Sequence, residues 1–495
     1  MKGTSAFAIA TTSTGLLCAV AHGQTDHRNN APPPAPAPAV AATTQAAFPA
    51  PAPPTDVSVL GLGIQRTMRL LATSTPERRN RVRILFYGQS ITEQDWSKQV
   101  ADDLRARFPH ADLTIENRAI GGFASQLLVR SAEHDLYPFY PDLVIFHVYG
   151  GQDTYEQIIR ETRARTTAEV LIQTDHVTKW PDPTATQQSD TGAWWDQLMN
   201  GHFLPATANK YGCGLVDVRT AWLDYLRAND LQPSALLSDA VHLNAHGNYL
   251  LAELISRHLV YRPDLPPPAD QQQPVRDVEI GQDVRWERGK LVLEFEGNRV
   301  DVITAPASAA EVTEHRSAPV DVLIDGRKPS SYPECYRFSR PSPQPWSPLF
   351  IKRIDRETPL IPERWTYTVT TVESDSKSWS FRVDGSVTGP DGIGESGKPF
   401  KSNSGRVRID PADYFRGFNA PLPEGFTITW SALPMFVDQY APFSDGEAAA
   451  GQITTLVQGL PNGKHVLTLT AAAANDDKVP PIAALRIYRP APAHE

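Results

Sequence analysis

Residues 84–92 read Ile84-Leu85-Phe86-Tyr87-Gly88-Gln89-Ser90-Ile91-Thr92, an apolar run that ends in a glycine and is followed by a serine. A short apolar run bounded by a turn residue is typical of a buried strand in a parallel sheet. Open α/β sheets bind ligands at the carboxyl ends of their strands. Ser90 is therefore predicted to project into such a crevice.

A carboxylate and an imidazole follow about 150 residues later in Asp239-Ala240-Val241-His242. Their three-residue spacing places both side chains on nearly the same face of a helical turn or tight loop. A serine nucleophile needs a base within hydrogen-bond reach, and the base needs a third group that fixes its tautomer. We predict a serine hydrolase with Ser90 as nucleophile, His242 as base and Asp239 as the orienting group. The alternative for Ser90 is a plain helix cap, and for His242 a core or surface histidine.

The surrounding residues alternate between short apolar runs and helical periodicity, which favours a parallel sheet covered on both faces. The predicted strands are 84–87, 113–116, 143–148, 170–173 and 215–218, and the predicted helices are 64–71, 96–108, 123–132, 155–166 and 221–228. The predicted domain extends from residue 56 to residue 262. The proposed chemistry falls at the ends of its strands.

The N-terminal residues predict that the protein is exported. Residues 1–23 contain Lys2, an apolar and small-residue stretch, and Ala21-His22-Gly23, which together are typical of a cleaved signal peptide. The alternative is a weakly amphipathic N-terminus of a cytosolic protein. Residues 24–55 are mostly Pro and Ala, a composition that favours an extended linker. We expect an exported protein, periplasmic or secreted.

The composition and net charge of the chain exclude several classes of partner and cofactor. The chain has 495 residues, 41% of them hydrophobic, and a net charge of −9, so we expect no nucleic-acid partner. After the signal peptide no segment approaches the apolar length of a membrane span, so we expect no membrane insertion. Cys213 and Cys335 could pair, although the sequence does not decide it. No cluster has zinc spacing and no phosphate loop is present, so we expect no metal and no cofactor.

The sequence after Tyr261 changes to strand alternation, and we predict a mainly β region, a β-sandwich or jelly roll, over residues 270–495. The strand patterns are 291–296, 320–324 and 465–469, and residues 327–450 are a possible insertion. Such folds host many functions, so this region could recognise sugar or only buttress the first domain.

Four segments between residues 80 and 260 resemble the SGNH (GDSL-like) hydrolase superfamily, whose fold is a flavodoxin-like α/β/α sandwich. They are Gly88-Gln89-Ser90-Ile91-Thr92, with Gln89 where Asp is usual, then Asn117-Arg118-Ala119-Ile120-Gly121-Gly122, Gly150-Gly151-Gln152-Asp153 and Asp239-Ala240-Val241-His242. The resemblance implies an oxyanion hole made of the Ser90 and Gly122 backbone N–H groups and the Gln152 side chain. Gln152 stands where the family has Asn, so its amide is carried on an arm one methylene longer.

Other side chains have less specific interpretations. His147 is predicted to be a core histidine, and His176 a loop residue with local hydrogen bonds. Trp180, Trp194 and Trp195 could line a sugar subsite or pack in the core. The same choice applies to four tryptophans of the β region, which are Trp346, Trp365, Trp379 and Trp430.

The resemblance, the predicted export and the tryptophans favour an esterase that removes acetyl groups from polysaccharide or oligosaccharide hydroxyls. A lipase or thioesterase would have the same triad with a wider acyl groove. A noncatalytic carbohydrate-binding protein on a degenerate hydrolase scaffold is a different alternative, motivated by Gln152. Acyl transfer to a sugar acceptor is chemically open as well.

Overall fold

A computed structural model describes residues 48–265, 273–305, 319–343, 346–373, 377–417, 420–441, 451–472 and 479–492. The predicted signal peptide and most of the predicted linker lie outside these residues. The first half is a five-stranded parallel sheet with the order β2-β1-β3-β4-β5. Its strands are β1 (Arg81–Gly88), β2 (Asp112–Asn117), β3 (Leu143–His147), β4 (Glu169–Gln173) and β5 (Gly214–Val216). This strand order is that of doubly wound, flavodoxin-like sheets.

Nine α-helices accompany the sheet in the described residues. They are α1 (Gln65–Ala72), α2 (Ser90–Glu93), α3 (Asp95–Arg107), α4 (Ser125–Asp135), α5 (Gln152–Arg165), α6 (Thr191–Leu198), α7 (Leu204–Tyr211), α8 (Val218–Ala228) and α9 (Ala245–Ser256). A π-helical turn, Met199–Phe203, joins α6 to α7. The predicted strands and helices of this half are confirmed, whereas α2, α6, α7 and α9 were not predicted.

Alternate residues of β1 explain why both faces are covered. Ile84 and Phe86 belong to one apolar core, packed against α1, α3, α8 and α9. Leu85 and Tyr87 point to the opposite face and belong to a second core, packed against α4, α5 and α7. Since successive side chains of a strand point to opposite faces, an uninterrupted apolar run requires cover on both sides.

The second half is antiparallel and β-rich, as predicted. One sheet has six strands in the order β18-β8-β19-β7-β20-β6, and another has five in the order β13-β12-β11-β17-β9. The strands are β6 (Val275–Glu279), β7 (Lys290–Thr304), β8 (Val320–Ile324), β9 (Tyr336–Phe338), β10 (Leu349–Ile351), β11 (Glu363–Val372), β12 (Trp379–Gly385), β13 (Gly389–Glu395), β14 (Phe400–Lys401), β15 (Arg408–Ile409), β16 (Tyr414–Arg416), β17 (Thr427–Pro434), β18 (Gln439–Tyr440), β19 (Ile453–Thr470) and β20 (Ile482–Tyr488). The five-stranded sheet comes between β8 and β18 along the chain.

The two halves are joined by buried contacts. Arg130 of α4 donates to both carboxylate oxygens of Asp413, at 2.7 and 2.6 Å, and the Asp413 side chain is fully buried. Phe350 of β10 packs edge-on against Phe123 and belongs to the apolar core that α4 and α5 cover. A bidentate guanidinium and an aromatic anchor fix the orientation of the β-rich half against the parallel sheet.

The two cysteines in the described residues form no disulfide. Cys213 and Cys335 are both free, and burial raises the pKa of each thiol to about 12, so neither is a reactive thiolate.

Within the described ranges, no helix combines the length and apolarity that crossing a bilayer requires.

Candidate active site

The three side chains predicted as a triad lie in one hydrogen-bonded chain. His242 Nε2 is 3.0 Å from Ser90 Oγ, and His242 Nδ1 is 2.8 Å from Asp239 Oδ2. Ser90 is the first residue of α2 and is separated from β1 by Gln89 alone, and the other two lie in the loop that precedes α9. A base between a hydroxyl and a carboxylate is the arrangement that activates a serine for attack.

Asp239 has a second role within its own loop. Its Oδ1 accepts the backbone N–H groups of Val241 and His242, both at 2.7 Å. The pKa of Asp239 is lowered to about 2. The largest cause is the bond from the His242 N–H, followed by the bond from the Val241 N–H and the bond to the His242 ring. Asp239 is therefore ionised at any pH well above 2 and presents its second oxygen to the imidazole.

Gly88 makes room for the nucleophile. It pairs with His147 at the end of β3, and any side chain on it would collide with the His147 carbonyl oxygen and Thr92 Oγ1. The Thr92 hydroxyl donates to that same carbonyl at 3.2 Å. Only a glycine lets the first turn of α2 sit this close to β3, which fixes the position of Ser90.

The loop that carries His242 is tethered from two sides. Gln94 donates through Nε2 to the Leu243 carbonyl at 2.9 Å and accepts the Leu243 N–H through Oε1 at 3.0 Å. His176, just after β4, is 2.8 Å from the Val241 carbonyl through Nε2. Because a carbonyl only accepts, Nε2 of His176 carries a proton. Neither tether was predicted, since each spans more than 60 positions of sequence.

His176 is held neutral by its surroundings. It is buried, and burial, followed by the nearby His147, lowers its pKa to about 4. The predicted local bonding of His176 is wrong in one respect, because the partner Val241 lies 65 positions away. At neutral pH the ring is an uncharged donor that positions the residue next to His242.

We expect His176→Phe to lower kcat roughly tenfold, because the loop loses a buried donor and the His242 ring is held less accurately. His176→Gln, which keeps a donor, should recover most of that loss. Steady-state kinetics on p-nitrophenyl acetate check this, with circular dichroism to compare folding. Equal rates in the Phe variant and the wild type would show that Gln94 alone suffices to hold the loop.

The predicted oxyanion donor Gly122 lies in a tight turn. Phe123 N–H donates to the Ile120 carbonyl at 3.1 Å, and Gly122 has φ of +77°, the conformation that a type II turn reserves for glycine. The preceding Gly121 donates its N–H to Glu93 Oε1 at 2.9 Å. Ile120 N–H donates to the Gly88 carbonyl at 3.0 Å and so joins this turn to the end of β1.

Gln152 is the first residue of α5 and is half-buried. Ser90, Gly122 and Gln152 thus follow the carboxyl ends of β1, β2 and β3, which are neighbours in the sheet. Gly150 before it has φ of +135° and lies against Ser125 and Gln126, so the backbone entering α5 packs on the start of α4. This close approach sets where the Gln152 amide begins.

Gln152→Ala tests the longer amide arm. If Gln152 donates to the oxyanion, kcat should fall about 10²-fold or more with little change in KM. Gln157→Ala, the same change farther along α5, serves as the matched control and should leave kcat unaltered. A loss below about threefold would mean that the Ser90 and Gly122 N–H groups stabilise the oxyanion without Gln152.

His147, at the end of β3, lies in a buried polar network. Its Nε2 is 2.8 Å from Asp175 Oδ1, and Asp175 also accepts from Asn200 Nδ2 at 3.1 Å. Asn200 in turn contacts Asp196, which pairs with Arg219. This network joins the end of β4 to α6 and α8, and His147 is a core histidine within it.

The tryptophans separate by exposure. Trp365, Trp379 and Trp430 are buried in the core of the five-stranded sheet, which leaves them without a face for a ligand. Trp180 is 40% exposed and donates through Nε1 to Gln232 at 2.8 Å, and Trp195 is 37% exposed. Trp346 is the most exposed of the described tryptophans, at 58%.

In the part of the chain that the structure describes, no group of His, Cys, Asp and Glu side chains is placed to hold a metal ion.

Comparison with known proteins gives structural likenesses only. No protein-family model matches the chain, and no curated protein is similar in sequence. An acetylxylan esterase, Axe2 of Geobacillus stearothermophilus, is 20% identical, covering 38% of this chain and 98% of that one, with a TM-score of 0.32. A two-domain esterase active on acetylated mannans is 16% identical, covering 88% of this chain and 98% of that one, with a TM-score of 0.33. These scores and identities are too low to assign the chain to a family.

Proposed function

We propose that this protein is an SGNH-type serine esterase that removes acetyl groups from carbohydrate hydroxyls. The observation that carries the proposal is the chain of contacts from Ser90 Oγ through the His242 ring to the Asp239 carboxylate. It lies where ligands bind in a doubly wound sheet, with candidate oxyanion donors after the carboxyl ends of the two strands beside β1.

The geometry supports an acyl-enzyme route. Ser90 Oγ attacks the ester carbonyl while His242 Nε2 takes the hydroxyl proton, and the Asp239 carboxylate stabilises the imidazolium. The N–H groups of Ser90 and Gly122, together with the Gln152 amide, receive the developing oxyanion. His242 then protonates the leaving alkoxide. Water, activated by the same imidazole, attacks the acyl-enzyme and releases acetate.

The carbohydrate part of the proposal rests on different features. The sequence predicts export, and the exposed aromatic side chains Trp180, Trp195 and Trp346 supply faces of the kind that sugar rings stack against. Acetyl specificity is an inference from the resemblance of the four motifs to the SGNH hydrolase superfamily, taken together with the predicted export and the tryptophans. The triad alone would serve any small acyl ester.

Acetate release from acetylated polysaccharides tests the proposal. Acetylated xylan and mannan are suitable first polymers, with p-nitrophenyl acetate and p-nitrophenyl octanoate as soluble esters of short and long acyl chains. We expect acetate release from at least one polymer and a strong preference for the acetyl over the octanoyl ester. Preference for octanoate would favour the lipase or thioesterase alternative. No hydrolysis of any ester would favour a noncatalytic carbohydrate-binding protein.

A further inference from the structure

Two described residues of the β-rich half, Arg340 and Phe350, contact the parallel-sheet half on either side of the Gly121-Gly122 turn. Arg340 donates to the Arg118 carbonyl at 2.6 Å and to the buried Asp135 carboxylate at 2.9 Å. Phe350 packs edge-on against Phe123, with ring centroids 5.7 Å apart. Arg118 and Phe123 flank the Gly121-Gly122 turn. Both contacts therefore join the β-rich half to the residues on either side of this turn.

Trp346 lies between Arg340 and Phe350 along the chain and contacts the turn directly. A methyl group on Gly121 would lie 2.9 Å from Trp346 Cζ2, which is well inside van der Waals contact. The Trp346 residue is nonetheless 58% exposed, so much of its surface stays open to solvent. An aromatic side chain that is both held against a glycine and this exposed presents a firm apolar face to a ligand.

Glu93 provides a polar group on the same side of Gly121. The same methyl position lies 2.7 Å from Glu93 Oε2, while Oε1 accepts the Gly121 N–H. Glu93 is exposed and stands three residues after Ser90. An indole ring and a carboxylate oxygen thus meet at one glycine, next to the candidate oxyanion donor Gly122. This combination suits a sugar, because a sugar ring has an apolar face and an edge of hydroxyl donors.

We propose that Trp346 and Glu93 form a sugar-binding subsite for the acetylated carbohydrate, so that the β-rich half completes the substrate cleft of the parallel-sheet half. The subsite rests on the proposed esterase function and adds a specificity determinant to it. Trp346 stacks on a pyranose ring of the substrate, and Glu93 Oε2 accepts a hydroxyl of that ring. Gly121 is required at their meeting point because a larger residue would displace both.

The test compares an oligosaccharide with an ester that has no sugar ring. Partially acetylated xylopentaose and mannopentaose serve as the former and methyl acetate as the latter, with acetate release as the readout. For Trp346→Ala, the ratio of kcat/KM on the better pentaose to that on methyl acetate should fall about tenfold, mainly through KM. Trp346→Phe keeps an aromatic face and should recover most of the ratio. Ile393→Ala, an exposed apolar residue on the edge strand β13, is the control.

Each outcome decides the proposal. An unchanged ratio in Trp346→Ala, with the wild type active on both substrates, overturns the subsite and leaves the esterase function standing. An equal loss on both substrates means that Trp346 only supports the turn, and this overturns the subsite as well. A wild type that hydrolyses none of the esters removes the esterase function and the subsite with it.

Discussion

Ser90→Ala is expected to lower kcat on p-nitrophenyl acetate by about 10⁵-fold or more. Ser90 Oγ is the only described hydroxyl within hydrogen-bond distance of His242 Nε2, at 3.0 Å. The alanine variant retains the donors of the oxyanion turn but has no atom that can carry the acyl group. Its residual rate should therefore come from ester binding and oxyanion stabilisation alone.

The matched control is Ser234→Ala, an exposed serine in the short helix Pro233–Leu236. It should leave kcat and KM unchanged. An organophosphonate ester should label the wild type at Ser90 and leave the alanine variant unlabelled, as intact mass and peptide mapping will show. Retained activity in Ser90→Ala, or labelling at a different serine, would contradict the assignment of the nucleophile.

Asp239→Asn is expected to lower kcat by about 10⁴-fold. An asparagine can keep its oxygen on the Val241 and His242 N–H groups, both at 2.7 Å, so the loop should retain its shape. Its amide NH₂ would then face His242 Nδ1, where the wild type has an acceptor oxygen at 2.8 Å. The ring would have to take the tautomer with the proton on Nε2. That nitrogen could no longer accept the Ser90 proton.

Asp224→Asn, the same chemical change on the exposed surface of α8, is the control for Asp239→Asn and should have no effect. Thermal unfolding should show only a small fall in Tm for Asp239→Asn, because both backbone bonds persist and only the charge of the acceptor is lost. A loss of activity accompanied by a large fall in Tm would point to a loop-folding role for Asp239 instead. A loss below about tenfold would remove Asp239 from the catalytic chain.

The sequence predicted the parallel-sheet half well because local patterns carry its information. The run Ile84–Tyr87 is apolar at every position, and that pattern, bounded by Gly88, favours a strand covered on both faces. The helix α9 was missed because its residues are apolar on nearly every side, which leaves little amphipathic period to detect. In the β-rich half, strand patterns identified the class of structure. They could not give the strand order, because pairing joins residues far apart in sequence.

Some residues of the candidate site were likewise predicted from the sequence, and others were missed. Ser90, Asp239 and His242 were found from residue type, order and spacing, because nucleophile, base and orienting group must be those kinds of side chain. Gln94 and His176 were missed as tethers of the His242 loop. Each bonds to a main-chain atom, and main-chain atoms are present at every residue, so the sequence offers no signal for the partner.

The sequence by itself determined which chemistry this chain can carry, since a hydroxyl, an imidazole and a carboxylate are properties of single residues. Only the tertiary structure decided what surrounds that chemistry. It set the exposed Trp346 beside Gly121 and put Trp365 and Trp430 in the core, although all three are tryptophans of one β-rich region. The physical reason is that exposure and contact depend on packing between distant segments. Arg340 and Phe350, on either side of Trp346 in the sequence, make contacts more than 200 positions away along the chain.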